Sequence, residues 1–325
     1  MVFGRKETDE KLIALEKQMA REYSQAYSEM RAKADKYFKK FKEADKQKER
    51  DMYAGKITKS EYREWRRNKM LTGEQYKSMV RNLSNEMTIT NQKVTSMIRG
   101  HMLDTFADNA NYAGYEVCRK TTDNLPFTLF DKKVVERLVK ENPRLLPKPR
   151  VNISKDRAWN RRKMNSALTQ GILQGESVDK IAKRLQSVTD MNQRSAIRNA
   201  RTMTTSAENA GRLERYKEAS ALGIDMMKKW VAVLDHVTRD SHVDVDGEVQ
   251  ELDHPFSNGL DYPGAVGPPE EVYNCRCSME SEIKGVKYAD NRYSKLGNMS
   301  YADWKAQHAV HRVAVEERRQ RRNGK

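Results

Sequence analysis

Cysteine is nearly absent from this chain. Cys118, Cys275 and Cys277 are the three among 325 residues, too few for a disulfide scaffold. Glycine is sparse too, at 16 residues, and neither a phosphate-binding loop nor a dinucleotide fingerprint occurs. No Gly-x-Ser-x-Gly elbow is present, so nucleophilic hydrolysis has no obvious centre. No apolar run approaches the ~18 residues that would span a bilayer. Met1 to Arg5 leads directly into charged residues, not into a signal sequence. A soluble protein made in a reducing cytoplasm, with no membrane partner, is the expectation. Only 37% of residues are hydrophobic and mean hydropathy is −0.93, less apolar than a compact globule of this length usually is. Long solvated helices and one or two small cores in an extended molecule are therefore expected.

What is present is positive charge. Sixty-two Lys and Arg against 46 Asp and Glu give a net +16, which favours an anionic partner, nucleic acid or an acidic protein surface. Half of that excess lies in Arg31–Met70, where 15 basic residues face 7 acidic ones. Tyr37, Phe38, Phe41, Tyr53, Tyr62 and Trp65 are interleaved there. Such a mixture suits DNA phosphates and stacked bases. It equally suits a helical hairpin with aromatics inside and lysines in water. Lys39, Lys40, Lys42, Arg66 and Arg67 are the candidate contacts, joined by Arg318, Arg319, Arg321 and Arg322 in the basic tail that ends at Lys325.

Periodicity reads as mostly helix. Leu12, Leu15, Met19, Tyr23, Ala26 and Met30 form one apolar stripe. Gly55 stops that helix, and Thr58-x-x-Glu61 is a capping box that opens the next. Helical texture continues through 72–113. Pro126, Pro143, Pro147 and Pro149 then break the chain, with a boundary expected at the connector Leu146–Arg150. Three helices are expected next: one from about Asp156 to near Gly175, a short one capped by Ser177, and a long one from about Asn192 to Ala221. Ser300 caps a last helix, on which Trp304, His308, His311 and Val315 share a face.

The richest chemistry lies in 229–279. Trp230–Leu234 is a candidate strand. Thr238 can cap a short helical turn closed by Gly247, drawing Asp240, His242, Asp244 and Asp246 together. A loop rich in Pro and Gly (Pro255, Gly259, Pro263, Gly264, Gly267, Pro268, Pro269) returns to a second strand near Arg276. Asp253–Glu271 has few backbone partners of its own, so the groups on either side of it are expected to meet and close it. Two readings of those groups stay open. Cys275 and Cys277 with His242 and Asp246 (Asp240 or His254 being alternatives) could hold a structural zinc ion. Or the thiols are small buried hydrophobes, with Asp240, His242 and Asp246 bonding loop backbone. No other cofactor is expected.

This order of elements, strand, Thr-Arg-Asp-x-His with Asp-Gly, Pro/Gly loop and Asn-Cys-Arg-Cys, closely resembles the head-morphogenesis domain of the Mu F-like phage minor head proteins. Trp230, Asp240, His242, Asp246, Gly247, Asn274, Cys275 and Cys277 carry the motif. Gly55–Trp65 resembles, separately, the N-terminal region of minor head proteins from phages of Gram-positive hosts. In many relatives an acidic residue stands where this chain has Met203, so no catalytic role is assigned to that helix. The resemblance implies a mainly α fold with a small α+β C-terminal domain, extended N-terminal helices, and short strands around the Pro/Gly loop. Domains are expected at 1–150 (helical, basic), 151–285 (head-morphogenesis domain) and 286–325 (helix and basic tail). It also implies a non-enzymatic virion component, made in the host cytoplasm and acting at the portal vertex. Its partners would be the portal protein, capsid or scaffolding proteins, and double-stranded DNA. Rival classes are a virion-carried effector enzyme and a plain DNA-binding protein. Glu280-x-Glu282 resembles an ADP-ribosyltransferase signature, but only residues 283–325 follow it, without the flanking Arg and Ser-Thr-Ser elements.

Overall fold

A computed structural model of the chain describes residues 4–71, 73–121, 125–147, 153–174, 176–284 and 299–309. Six helices of ten residues or more dominate it: α1 (Arg5–Tyr53), α2 (Lys59–Leu71), α3 (Glu74–Thr121), α4 (Lys132–Glu141), α5 (Ile153–Leu173) and α6 (Val178–Ala221). β1 (Met226–Val231), a short α7 (Asp240–Val243), β2 (Val249–Glu251), a short α8 (Pro269–Val272) and β3 (Ser278–Ile283) follow. The fold is mainly α with a small α+β region toward the C-terminus. None of the described helices is long and apolar enough to cross a membrane.

The chain forms two compact units, each assembled from separated stretches. One holds Met1–Leu15, Ile98–Pro149 and Arg198–Lys325; the other holds Glu16–Met97 and Arg150–Ile197. They do not follow the consecutive division 1–150, 151–285 and 286–325. The reason is the length of α1, α3 and α6, 49, 48 and 44 residues, each of which contributes to both units.

The second unit is a helical bundle. Met19, Tyr23, Ala26 and Met30, the stripe visible in the sequence, are buried, as are Met87 and Val94 of α3, Met164 and Leu168 of α5, and Leu185 and Val188 of α6. Polar side chains fix the contacts. Tyr23 donates to Asn91 at 2.9 Å, Asn91 to Asn192 at 2.8 Å, and Asn160 to Thr88 at 3.2 Å. α6 is one helix where a short and a long one were expected. No Gly or Pro interrupts 178–210, and Thr189 and Asn192 return their side chains to carbonyls four residues back. The α1–α2 turn matches its signals. Gly55 has φ 73°, Thr58 N–H donates to Glu61 at 2.7 Å, and Glu61 N–H to Thr58 Oγ1 at 3.2 Å.

In the first unit, Gly211 of α6 sits against α3; a Cβ there would come 2.3 Å from the Phe106 carbonyl. Such an approach admits only glycine. Charge is buried in this contact. Arg212 reaches Glu116 at 3.4 Å and Glu208 at 3.9 Å, while Arg5 and Lys120 add bonds of 2.7 Å to Glu208 and Glu116. Arg215 donates to the carbonyls of Ala110 and Thr128 and lies over the rings of Phe127 and Phe130. Trp304 is fully buried, and His308 bonds the Trp304 and Leu125 carbonyls, a packing role for that helix face. His311 and Val315 lie outside the described residues.

The antiparallel sheet has the order β2-β1-β3, with Trp230 opposite Met279. Its strands are displaced from the expected ones. β1 starts at Met226 and ends before Leu234, which is exposed in the following loop. β3 begins after Arg276. Alternation explains the shift: Met226, Lys228 and Trp230 face inward, and Lys228 disguises the pattern.

Candidate functional site

The two groups expected to close the Pro/Gly loop meet. His242, on α7, points Nδ1 at both sulfurs, 3.7 Å from Cys275 Sγ and 3.4 Å from Cys277 Sγ. All three residues are buried. The cysteines do not sit on a strand, where alternate positions are held well apart. They precede β3 in an irregular segment that turns at Asn274, whose φ is +56°, and this turn lets the sulfurs converge. Asn tolerates that conformation better than most residues. His242 also packs edge-on against the buried Trp230 at 5.3 Å, and Trp230 against Phe256 at 5.1 Å.

The remaining motif residues serve the backbone. Asp246 does not join the sulfurs, contrary to its place in the expected metal set; it accepts the Ala232 N–H at 2.8 Å. Gly247, at φ 79°, returns its N–H to the Trp230 carbonyl at 3.0 Å. Asp240 is exposed at the start of α7, where its carbonyl accepts Asp244 N–H. Thr238 does not cap α7; Arg239 holds that position, and Thr238 bonds the Val233 carbonyl and Asp235 instead. His254 is exposed beside Glu251. Arg276 clamps Asp235 with bonds of 2.6 and 2.7 Å, which holds the Asp235 carboxyl well below its ordinary range.

Several residues that hold the site carry no motif signal. Glu271 accepts from His242 Nε2 at 3.0 Å and from Ser241 at 2.9 Å. α6 supplies Thr202, Thr205 and Asn209, spaced three and four apart along one face. Thr202 accepts Asn274 N–H at 3.1 Å, Thr205 donates to the Cys275 carbonyl at 2.5 Å, and Asn209 donates to the Pro263 and Cys277 carbonyls. Fully buried Lys228 donates to the carbonyls of Leu252 and Asp261 at 3.1 and 2.7 Å. Burial pulls its ammonium down to about 8. The signal for all of these is a polar residue inside an apolar period, which sequence alone does not separate from a surface position.

The hydrogen bond from Cys275 holds Cys277 below the ordinary thiol range, and the same bond together with burial pushes Cys275 up. Two adjacent buried thiols cannot both ionise without a cation between them.

The second unit carries the basic candidates. Phe38 and Phe41 are buried, and Trp65 stacks between Phe41 and Tyr62. Phe38 and Phe41 are thus core residues of the α1–α2 hairpin, Tyr62 and Trp65 are half-buried, and Tyr53 is exposed. Lys39, Lys40, Lys42 and Arg67 are exposed on the same hairpin, and Arg66 pairs with Asp45 at 3.4 Å. The unit also has a groove between α3 and α5, lined by Lys77, Arg81, Arg157, Arg161 and Arg162 with no acidic side chain. Arg318, Arg319, Arg321 and Arg322 lie outside the described residues. Glu280 and Glu282 project from one face of β3, opposite Lys229 and Met227 in register.

Comparison with known proteins finds one family and relatives of two kinds. The family model "Phage Mu protein F like protein" matches residues 162–280. The minor head protein GP7 of Bacillus phage SPP1 is 27% identical over 243 residues, 69% of this chain and 78% of that protein. An NAD(+)–arginine ADP-ribosyltransferase, EFV, of Enterococcus faecalis is 30% identical over 149 residues, 44% of this chain. The match spans only 30% of that second protein's length. No solved structure matches the chain.

Proposed function

We propose that this chain, which belongs to the family of phage minor head proteins, acts in head morphogenesis at the portal vertex of the virion as a non-enzymatic assembly component. The observation that carries this reading is the breadth of the likeness to a minor head protein, 78% of whose length is matched. The shared stretch with the ADP-ribosyltransferase leaves 70% of that protein unmatched, and its named activity needs no counterpart in the domain held in common.

Assembly would proceed by docking. The exposed cations of the second unit, on the hairpin and in the α3–α5 groove, suit an acidic portal or capsid surface and the phosphates of packaged double-stranded DNA. Co-expression with the cognate portal protein tests the reading. A complex should co-purify and survive a sizing column at moderate salt, while the purified chain transfers no ADP-ribose from NAD(+) to arginine. Separate elution of the two proteins at both low and moderate salt removes the portal reading, and measurable transfer removes the non-enzymatic one.

A further inference from the structure

We infer that His242, Cys275 and Cys277 bind one zinc ion, with Glu271 orienting the imidazole from the outer shell. The inference does not depend on the assembly role. The three ligand atoms lie within 4.8 Å of one another. A tetrahedral zinc holds nitrogen at ~2.05 Å and sulfur at ~2.3 Å, which places its nitrogen and sulfur ligands about 3.6 Å apart. The observed separations from His242 Nδ1, 3.7 and 3.4 Å, bracket that value.

Proton placement points the same way. His242 Nε2 faces a Glu271 oxygen at 3.0 Å, and an ionised carboxylate only accepts. Nε2 therefore carries the hydrogen, and in the neutral imidazole Nδ1 presents a lone pair to the two sulfurs. A carboxylate behind a histidine, itself fixed by a further bond from Ser241 at 2.9 Å, is the outer-shell arrangement of metal-ligating histidines.

The donor set selects the ion. Two thiolates and an imidazole are too soft for calcium or magnesium and match zinc. Two negative sulfurs cancel the 2+ charge, so the loaded site is neutral where burial makes net charge expensive. Binding displaces the thiol protons to solvent and leaves the fourth position to water. The ion would join α7 to the segment entering β3, across the loop whose ends most need closing.

The test uses the untagged full chain, purified in reductant without chelator. Elemental analysis should find about one zinc per chain. Added zinc should raise Tm and a chelator should lower it. Cobalt(II) in place of zinc should give thiolate-to-metal absorption. The double variant Cys275→Ser, Cys277→Ser should lose the metal and show a Tm indifferent to chelator. Glu271→Gln keeps all three ligands and should weaken zinc affinity about 10–100-fold, a readout independent of whether the double variant folds. A folded chain with far less than one zinc, whose Tm ignores added zinc, overturns the inference. So does a double variant that retains the ion, because the ion then sits elsewhere.

Discussion

The two units solve the same problem, holding helices together, with opposite materials. Among the described residues, every buried Lys, Arg, Asp and Glu belongs to the first unit: Glu116, Glu208, Arg212, Arg215 and Lys228. The second unit buries apolar stripes and neutral polar groups such as Asn160, Thr88 and Asn192, and keeps its charge in water. The difference is one of fragility. A buried ion pair adds little over an apolar core, but losing one partner strands the other in a low dielectric. The first unit is therefore specified by polar matching around α6, the second by hydrophobic area.

The largest expected effect breaks that matching. Arg212→Ala leaves Glu116 and Glu208 buried with less compensation and should cost about 3–5 kcal/mol. The counterpart in the second unit, Asn160→Ala, removes a neutral bond to Thr88 and should cost about 1–3 kcal/mol. Denaturant titration of both variants measures the gap. Equal losses would mean that the two units do not differ in kind.

Acid should separate the units as well. Burial, with help from Lys11, pulls His101 in the first unit down to about 4, where its ring bonds Thr204 at 3.0 Å. In the unfolded chain it titrates near its ordinary value of 6.5. Between those values the unfolded state binds the extra proton, so stability falls as pH drops from about 6.5 to about 4. The loss is on the order of 3 kcal/mol at most. Thermal melts across this window should show the slope, and His101→Gln should flatten it. A slope unchanged in that variant assigns the acid sensitivity to other groups.

Legibility in the sequence follows the same division. The Leu12–Met30 stripe, the Gly55 stop and the Thr58–Glu61 box could be read directly, because period and capping are local chemistry. The loop that returns to Asn-Cys-Arg-Cys was legible from its Pro and Gly, and His242 with Cys275 and Cys277 from residue type. What could not be read depends on tertiary context. Lys228 inside β1 looks like a solvent-facing residue, yet two loop carbonyls make its burial affordable. Thr202, Thr205 and Asn209 look like a polar helix face, and Glu271 like one acid among many. Asp246 was misplaced for the converse reason: a carboxylate beside a histidine reads as a ligand, when a backbone N–H at 2.8 Å occupies it.

The smallest effect on stability should carry the most functional information. Reversing Lys39, Lys40 and Lys42 to Glu alters exposed hairpin positions and should shift stability by no more than about 0.5 kcal/mol. Reversing Arg157, Arg161 and Arg162 in the groove should be equally mild. If the second unit keeps its charge in water in order to meet DNA phosphates, the wild-type chain should bind duplexes without sequence preference, and binding should weaken steeply with salt. Each phosphate contact contributes about 0.9 to the slope of log K against log salt. Removing three contacts should therefore flatten that slope by roughly 2.7. The two triple variants then locate the footprint, since only the surface that touches phosphate changes the slope. Binding that is absent at ~50 mM salt, or that ignores salt, removes the DNA contact altogether. The exposed cations would then be left to an acidic protein partner, for which a portal surface is the first to try.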